Sequence, residues 1–195
     1  MRRLLIGALL FLPSPAHAHL VGMEFGDFYA GALHLIVAPE HVAILITLAC
    51  IAAFQSRNVA RWILIALPVG LGFGGAVAMI WTTEIPTTLI GLSLAMLGIA
   101  AAAALRVHLA VLVAASVPVA GLHGFTNALP AADGGADPLL YTLGAMSAGT
   151  VLGTIGIAAA TVLAARHRMV PMAYRIVAGW ITASGAMYGA LSLAA

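Results

Sequence analysis

Two short stretches of an otherwise apolar chain hold the residue types that do chemistry. The first runs Gly31-Ala32-Leu33-His34-Leu35-Ile36-Val37-Ala38-Pro39-Glu40-His41, and the second Ala120-Gly121-Leu122-His123-Gly124-Phe125-Thr126-Asn127. Imidazole and carboxylate groups without a thiolate suit nickel, cobalt or zinc, and suit copper(I) or iron–sulfur clusters less well. The same set could serve as a proton relay. Each histidine taken alone could instead be an interhelical hydrogen-bonding residue worth about 0.6 kcal/mol per bond. Two histidines and a glutamate within eight residues favour the functional reading. The candidate metal ligands are therefore His34, Glu40, His41 and His123, with Asn127 and His19 as weaker candidates. On a helix at 100° per residue His34 and His41 share a face that Glu40 borders. Pro39 is expected to kink that helix and free the carbonyl near Leu35 for a ligand or a water.

The surrounding chain decides what positions these groups. Its 195 residues are 63% hydrophobic and only 7% charged, against about 25% charged in ordinary soluble domains, and the mean hydropathy is +1.11. Lipid supplies no water to backbone polar groups, so helices or closed barrels alone can span it. The continuous Ala/Leu/Gly runs lack the alternation of barrel strands, so the fold class is all-α, a polytopic membrane protein. A net charge of +2 carried by scattered arginines makes no basic stripe, which excludes a nucleic-acid partner. The single Cys50 allows neither a disulfide framework nor a thiolate cluster and reads as a small buried hydrophobe.

Residues 1–18 read as a signal peptide: Arg2 and Arg3, a short apolar core from Leu4 to Leu12, Pro13 and Pro15, then Ala16-His17-Ala18 as the cleavage site. Nine apolar residues are too few to cross about 30 Å. Cleavage would leave 19–195 as one membrane domain and expose the α-amine and imidazole of His19 to a divalent metal. Six apolar stretches follow, near 27–54, 62–81, 87–105, 109–128, 139–165 and 172–194, which predicts a bundle of six transmembrane helices. Every arginine after the signal peptide falls in or beside alternate breaks: Arg57, Arg61, Arg106, Arg166, Arg168 and Arg175. Glu24, Asp27, Glu84, Asp133 and Asp137 fall in or beside the others. The positive-inside rule then places both termini outside. For a bacterial inner membrane, outside is the periplasm. At 1.5 Å per residue His34 lies about 10 Å and His123 about 8 Å below the outer ends of their spans, so the first and fourth spans could meet there. Gly70, Gly72, Gly74 and Gly75 read as helix packing, and Met79, Met96, Met146 and Met187 as dispersed filler. His108 and His167 read as solvated neighbours of the inner arginines.

With those residues in view, the chain resembles the HupE/UreJ family of hydrogenase and urease accessory membrane proteins. That family pairs a signal peptide ending in Ala-His with a first-span pattern H-P-x-x-G-x-D-H. His34, Glu40 and His41 stand at the matching places, with Leu35 and Ala38 replacing the Pro and Gly. In the fourth-span pattern H-G-x-x-H-G-x-E, His123 and Gly124 match. Asn127 stands for the second His, and Ala128 and Pro130 replace the second Gly and the Glu. Arg175, Gly179, Gly185 and Gly189 resemble the family's last span.

The resemblance implies a nickel or cobalt permease of about six spans, with hydrogenase or urease maturation proteins as partners. The two missing fourth-span ligands point to weaker binding, another ion, or a role assisting metal handling. The expected function is a secondary permease, not an enzyme. It would import a divalent ion, Ni2+ or Co2+, across the inner membrane for metalloenzyme maturation, with no permanently bound cofactor. A membrane metal-binding accessory without transport is the alternative. An intramembrane serine protease built on Ser184 with His123 and Asn127 is a remote one, because no histidine follows Ser184 to activate it. The ion, the coupling ion and the oligomeric state have no signature in the sequence.

Overall fold

A computed structural model describes residues 26–194; the signal-peptide assignment, His19 and Glu24 lie outside the described residues. All regular structure there is helical: α1 (Asp27–Val37), α2 (Pro39–Ala53), α3 (Arg57–Ala78), α4 (Thr87–Ala102), α5 (Leu109–Gly134), α6 (Pro138–Arg166) and α7 (Val170–Ala194). By length and composition α3, α5, α6 and α7 can each cross a membrane, and α1 with α2 can form a fifth, broken span. The described residues are thus all-α in their regular structure, with the helices of a multi-pass membrane protein. Helix α4 has 16 residues, about 24 Å at 1.5 Å per residue, and is shorter than the 87–105 stretch expected from sequence.

The first apolar stretch differs most from expectation. Instead of one kinked helix, α1 and α2 are two helices that meet at 69°. Ala38 is extended, with φ −76° and ψ 116°, as steric clash with a following proline ring requires. Pro39 then occupies the first helical position of α2, where its missing N–H costs nothing. Helix α5 departs the other way. It runs through Pro130 to Gly134 and stops where Gly135 turns left-handed at φ 75°, six residues beyond the end expected at 128. Interior prolines are tolerated in membrane helices where neighbouring groups take up the freed carbonyls.

Three close helix pairs hold the bundle. A methyl group on Gly74 would strike the Gly121 carbonyl, and one on Gly124 the Leu71 backbone, so α3 and α5 touch backbone to backbone. Gly31 and Gly144 do the same for α1 and α6, and Gly91 and Gly185 for α4 and α7. Small residues permit this approach, which is how membrane helices gain packing energy when lipid is as apolar as their side chains. The expected packing role of the α3 glycines thus matches their surroundings.

The ends are tied by polar bonds. At one end the Asp137 amide donates to Asp27 Oδ2 at 2.9 Å, and the Asp137 carboxylate caps α6 through the amides of Leu139 and Leu140. Thr88 of α4 and Ser192 of α7 share a 2.7 Å hydrogen bond. Arg175 Nε donates to the Ala102 carbonyl at 2.7 Å, satisfying one of the open carbonyls that every helix C-terminus carries. Gln55 clasps the following loop, donating to the Leu105 carbonyl and accepting from the Val107 amide. His108 is exposed, as expected for a solvated surface residue, and also caps α5 by accepting from the Ala110 amide.

Candidate metal centre

His41 stands at the third position of α2, its side chain 1% exposed, and His123 lies in the middle of α5 with no exposure at all. Gly121 and Gly124 seat α5 against α3, and His123 bonds to groups on α2 and α4. The break at Ala38–Pro39 starts α2 next to this point. The result is a direct contact, His41 Nδ1 to His123 Nδ1 at 3.0 Å, with the rings edge to face at 71°.

A serine that the sequence reading had not singled out completes the arrangement. Ser93 of α4 donates its hydroxyl to the Ile90 carbonyl at 2.8 Å, and its oxygen lies 3.3 Å from His123 Nε2. Because that hydroxyl proton is committed to Ile90, the oxygen accepts, and His123 Nε2 must carry the hydrogen. His123 Nδ1 is then a lone pair turned toward His41, which donates to it. A partner on the far nitrogen that sets the tautomer of a histidine is the usual support for metal-binding imidazole. The signal for Ser93 was faint: one hydroxyl in an Ala/Leu/Gly span, with nothing in the spacing to connect it to His123.

His34 lies beside the pair, its ring centroid 5.8 Å from His41 and 6.3 Å from Tyr141 of α6. The shared helical face expected for His34 and His41 does not exist, because the helix breaks between them; the bend brings the rings together instead. Glu40 sits half-buried on the first turn of α2. Among the described residues no three His, Cys, Asp or Glu side chains converge to hold a metal ion. Of the four expected ligands, His41 and His123 touch and His34 lies alongside. Asn127, one turn from His123 toward the end of α5, is fully buried, and neither its Oδ1 nor its Nδ2 has a hydrogen-bond partner. Leaving a buried polar group unsatisfied costs about 1–3 kcal/mol, so this amide is available to a ligand. With α5 extended to Gly134, His123 lies about 16 Å from the end of its helix, deeper than the 8 Å expected.

The two nitrogens share a proton here, and their spacing would suit two adjacent ligands if a metal took the proton's place. Metal–imidazole bonds of about 2.0–2.1 Å drawn from two nitrogens 3.0 Å apart meet at about 91–97°. That is the angle between neighbouring ligands in square-planar or octahedral coordination, the geometries of nickel(II) and related ions, and is narrower than a tetrahedral site needs. A proton relay fits less well. The chain His41, His123, Ser93 ends on the Ile90 carbonyl, which has no proton to pass on. Ser184 is exposed on α7, and the hydroxyl beside His123 is that of Ser93, so the arrangement lends a serine hydrolase no nucleophile–base pair.

Comparison with curated proteins and with solved structures finds no match. A family model, that of the HupE / UreJ protein, matches residues 7–188, which takes in α1 to α6, most of α7 and both histidine segments. The chain belongs to the HupE/UreJ family.

Proposed function

We propose that this protein is a secondary permease that carries Ni2+ or Co2+ inward across a bacterial inner membrane, supplying metalloenzyme maturation. The observation that carries the reading is the buried His41–His123 pair at 3.0 Å, held between helices where a hydrated ion must shed water. His34 stands beside the pair as a staging ligand on α1, and the Asn127 amide oxygen offers a third donor to the bound ion. A sparse ligand set suits transport, since a site must release its ion as readily as it takes it. The ion is the cargo, with the membrane potential as its drive. A divalent ion moving inward gains about 4.6 kcal/mol per 100 mV, twice the single-charge value.

The six-span reading gains support from α4. Its first residues bond α7 at Ser192 and its last carbonyl bonds α7 at Arg175, a stretch of about 25 Å along α7. With α1 and α2 as one broken span, six crossings put all the arginines of the described residues at one end. The positive-inside rule makes that end cytoplasmic and both termini periplasmic.

Whole-cell uptake of radioactive nickel and cobalt tests the reading. His41→Ala and His123→Ala are each expected to abolish it, with the protein still present in the membrane. Uptake unchanged in both variants would overturn the mechanism. The accessory reading makes a different prediction for purified protein in liposomes: nickel bound by wild type, with no flux.

A further inference from the structure

We propose that a cleft at the arginine end of the bundle is a binding site for one anionic phospholipid. The cleft, of about 740 Å³, opens between the ends of α2 and α6 and the start of α3. Arg57 and Arg61, one helical turn apart on α3, and Arg166, the last residue of α6, line it. Leu64, Ile157 and Ala158 form an apolar wall. The Thr154 and Thr161 hydroxyls in the lining are turned to carbonyls of their own helix, so that wall stays apolar.

Charge decides the occupant. The acidic positions among the described residues are Asp27, Glu40, Glu84, Asp133 and Asp137. Asp27 and Asp137 are bonded to one another at the opposite end of the bundle. Asp133 lies in the last turn of α5, which ends on that side, and Glu84 lies in the α3–α4 connection there. Glu40 starts α2, about 20 Å of helix away from the cleft. The three arginines thus line one cleft, and none of the acidic positions placed among the described residues lies at their end. Among the described residues, Asn58 Oδ1 accepts from Arg61 at 3.0 Å. Planar guanidinium forks bind phosphate oxygens in pairs. A phosphodiester with acyl chains satisfies both halves of the cleft, its phosphate at the arginines and a chain along Leu64, Ile157 and Ala158. Basic pockets between membrane helices on the cytoplasmic side are where anionic head groups lodge. Only the assignment to the cytoplasmic leaflet rests on the orientation proposed above; the site is independent of the metal reading.

The test is native mass spectrometry of the full chain released from micelles, titrated with phosphatidylglycerol, cardiolipin or phosphatidylcholine. Wild type is expected to retain one anionic lipid and to prefer it at least tenfold over phosphatidylcholine. Arg61→Gln/Arg166→Gln should weaken retention about thirtyfold, at about 1 kcal/mol per arginine. Arg106→Gln/Arg168→Gln removes the same charge from the same end outside the cleft and should leave retention within about twofold. Ala158→Phe keeps every arginine but fills the chain groove, so it too should lose the lipid. Equal retention by the two double variants, or an unchanged Ala158→Phe, would overturn the proposal. Displacement by inorganic phosphate at the concentrations that bind wild type without lipid would overturn it as well, in favour of a free-anion site.

Discussion

Replacing Ser93 with alanine separates a metal-supporting role from a packing role, because the two predict different sizes of effect. The substitution removes the hydroxyl of a residue that is 7% exposed and leaves both imidazoles in place. If the serine only stitches α4 to α5, the loss is one interhelical hydrogen bond, about 0.6 kcal/mol of stability. If it sets the tautomer and pitch of His123, metal affinity falls about 10–100-fold, the cost usual for such partners, or about 1.4–2.7 kcal/mol. Binding must then suffer more than stability. Purified variants in nanodiscs, measured for nickel affinity by equilibrium dialysis and for unfolding midpoint without metal, give both numbers. Nitrogen-15 spectra of labelled histidine give a third: wild-type His123 is expected as the Nε2–H form, and Ser93→Ala as a mixture. Ser93→Thr, which keeps the hydroxyl, should restore the wild-type spectrum. An unchanged nickel affinity in Ser93→Ala, alongside loss of binding in His41→Ala, would refute the argument.

Further expectations concern Asn127 and the helix contacts. Asn127→Leu removes a buried amide with no partner and should stabilise the metal-free protein by about 1–3 kcal/mol while lowering nickel uptake; a fall in unfolding midpoint would count against it. Asn127→His adds an imidazole one turn from His123, on the same face of α5. Nickel affinity by dialysis should rise at least about tenfold, and an unchanged value would place Asn127 outside the site. Gly74→Leu drives a side chain into the Gly121 carbonyl, with a cost near the upper end for overpacking, about 3 kcal/mol. Because it displaces α5, it should abolish nickel binding in whatever protein still folds, which limited proteolysis and dialysis together would show.

Much of the architecture was legible before any coordinates. The shortage of charge requires helices, since a membrane interior leaves backbone groups nothing else to bond, and the helices duly fall in the apolar stretches. The glycine clusters were legible as packing surfaces for the same reason. Pro39 announced a distortion, though periodicity suggested one kinked helix. Two consequences of a proline combine here, the extended Ala38 before it and the fresh helix start after it, and only the neighbours that accept the bend can decide between kink and break.

The candidate site divides along the same line. Residue type alone singled out His34, Glu40, His41 and His123 as candidate ligands, because ionisable groups in an apolar span are rare and costly. Which of them touch was beyond sequence, since His41 and His123 are 82 positions apart and meet through the α3–α5 glycine contact and the α1–α2 bend. Tertiary structure also brought in Ser93 and put Asn127 in the interior without a partner. The physical reason is general. Local composition sets which backbone form is stable in lipid, whereas the direction of a side chain depends on helix rotation and crossing, which the packing of distant residues determines.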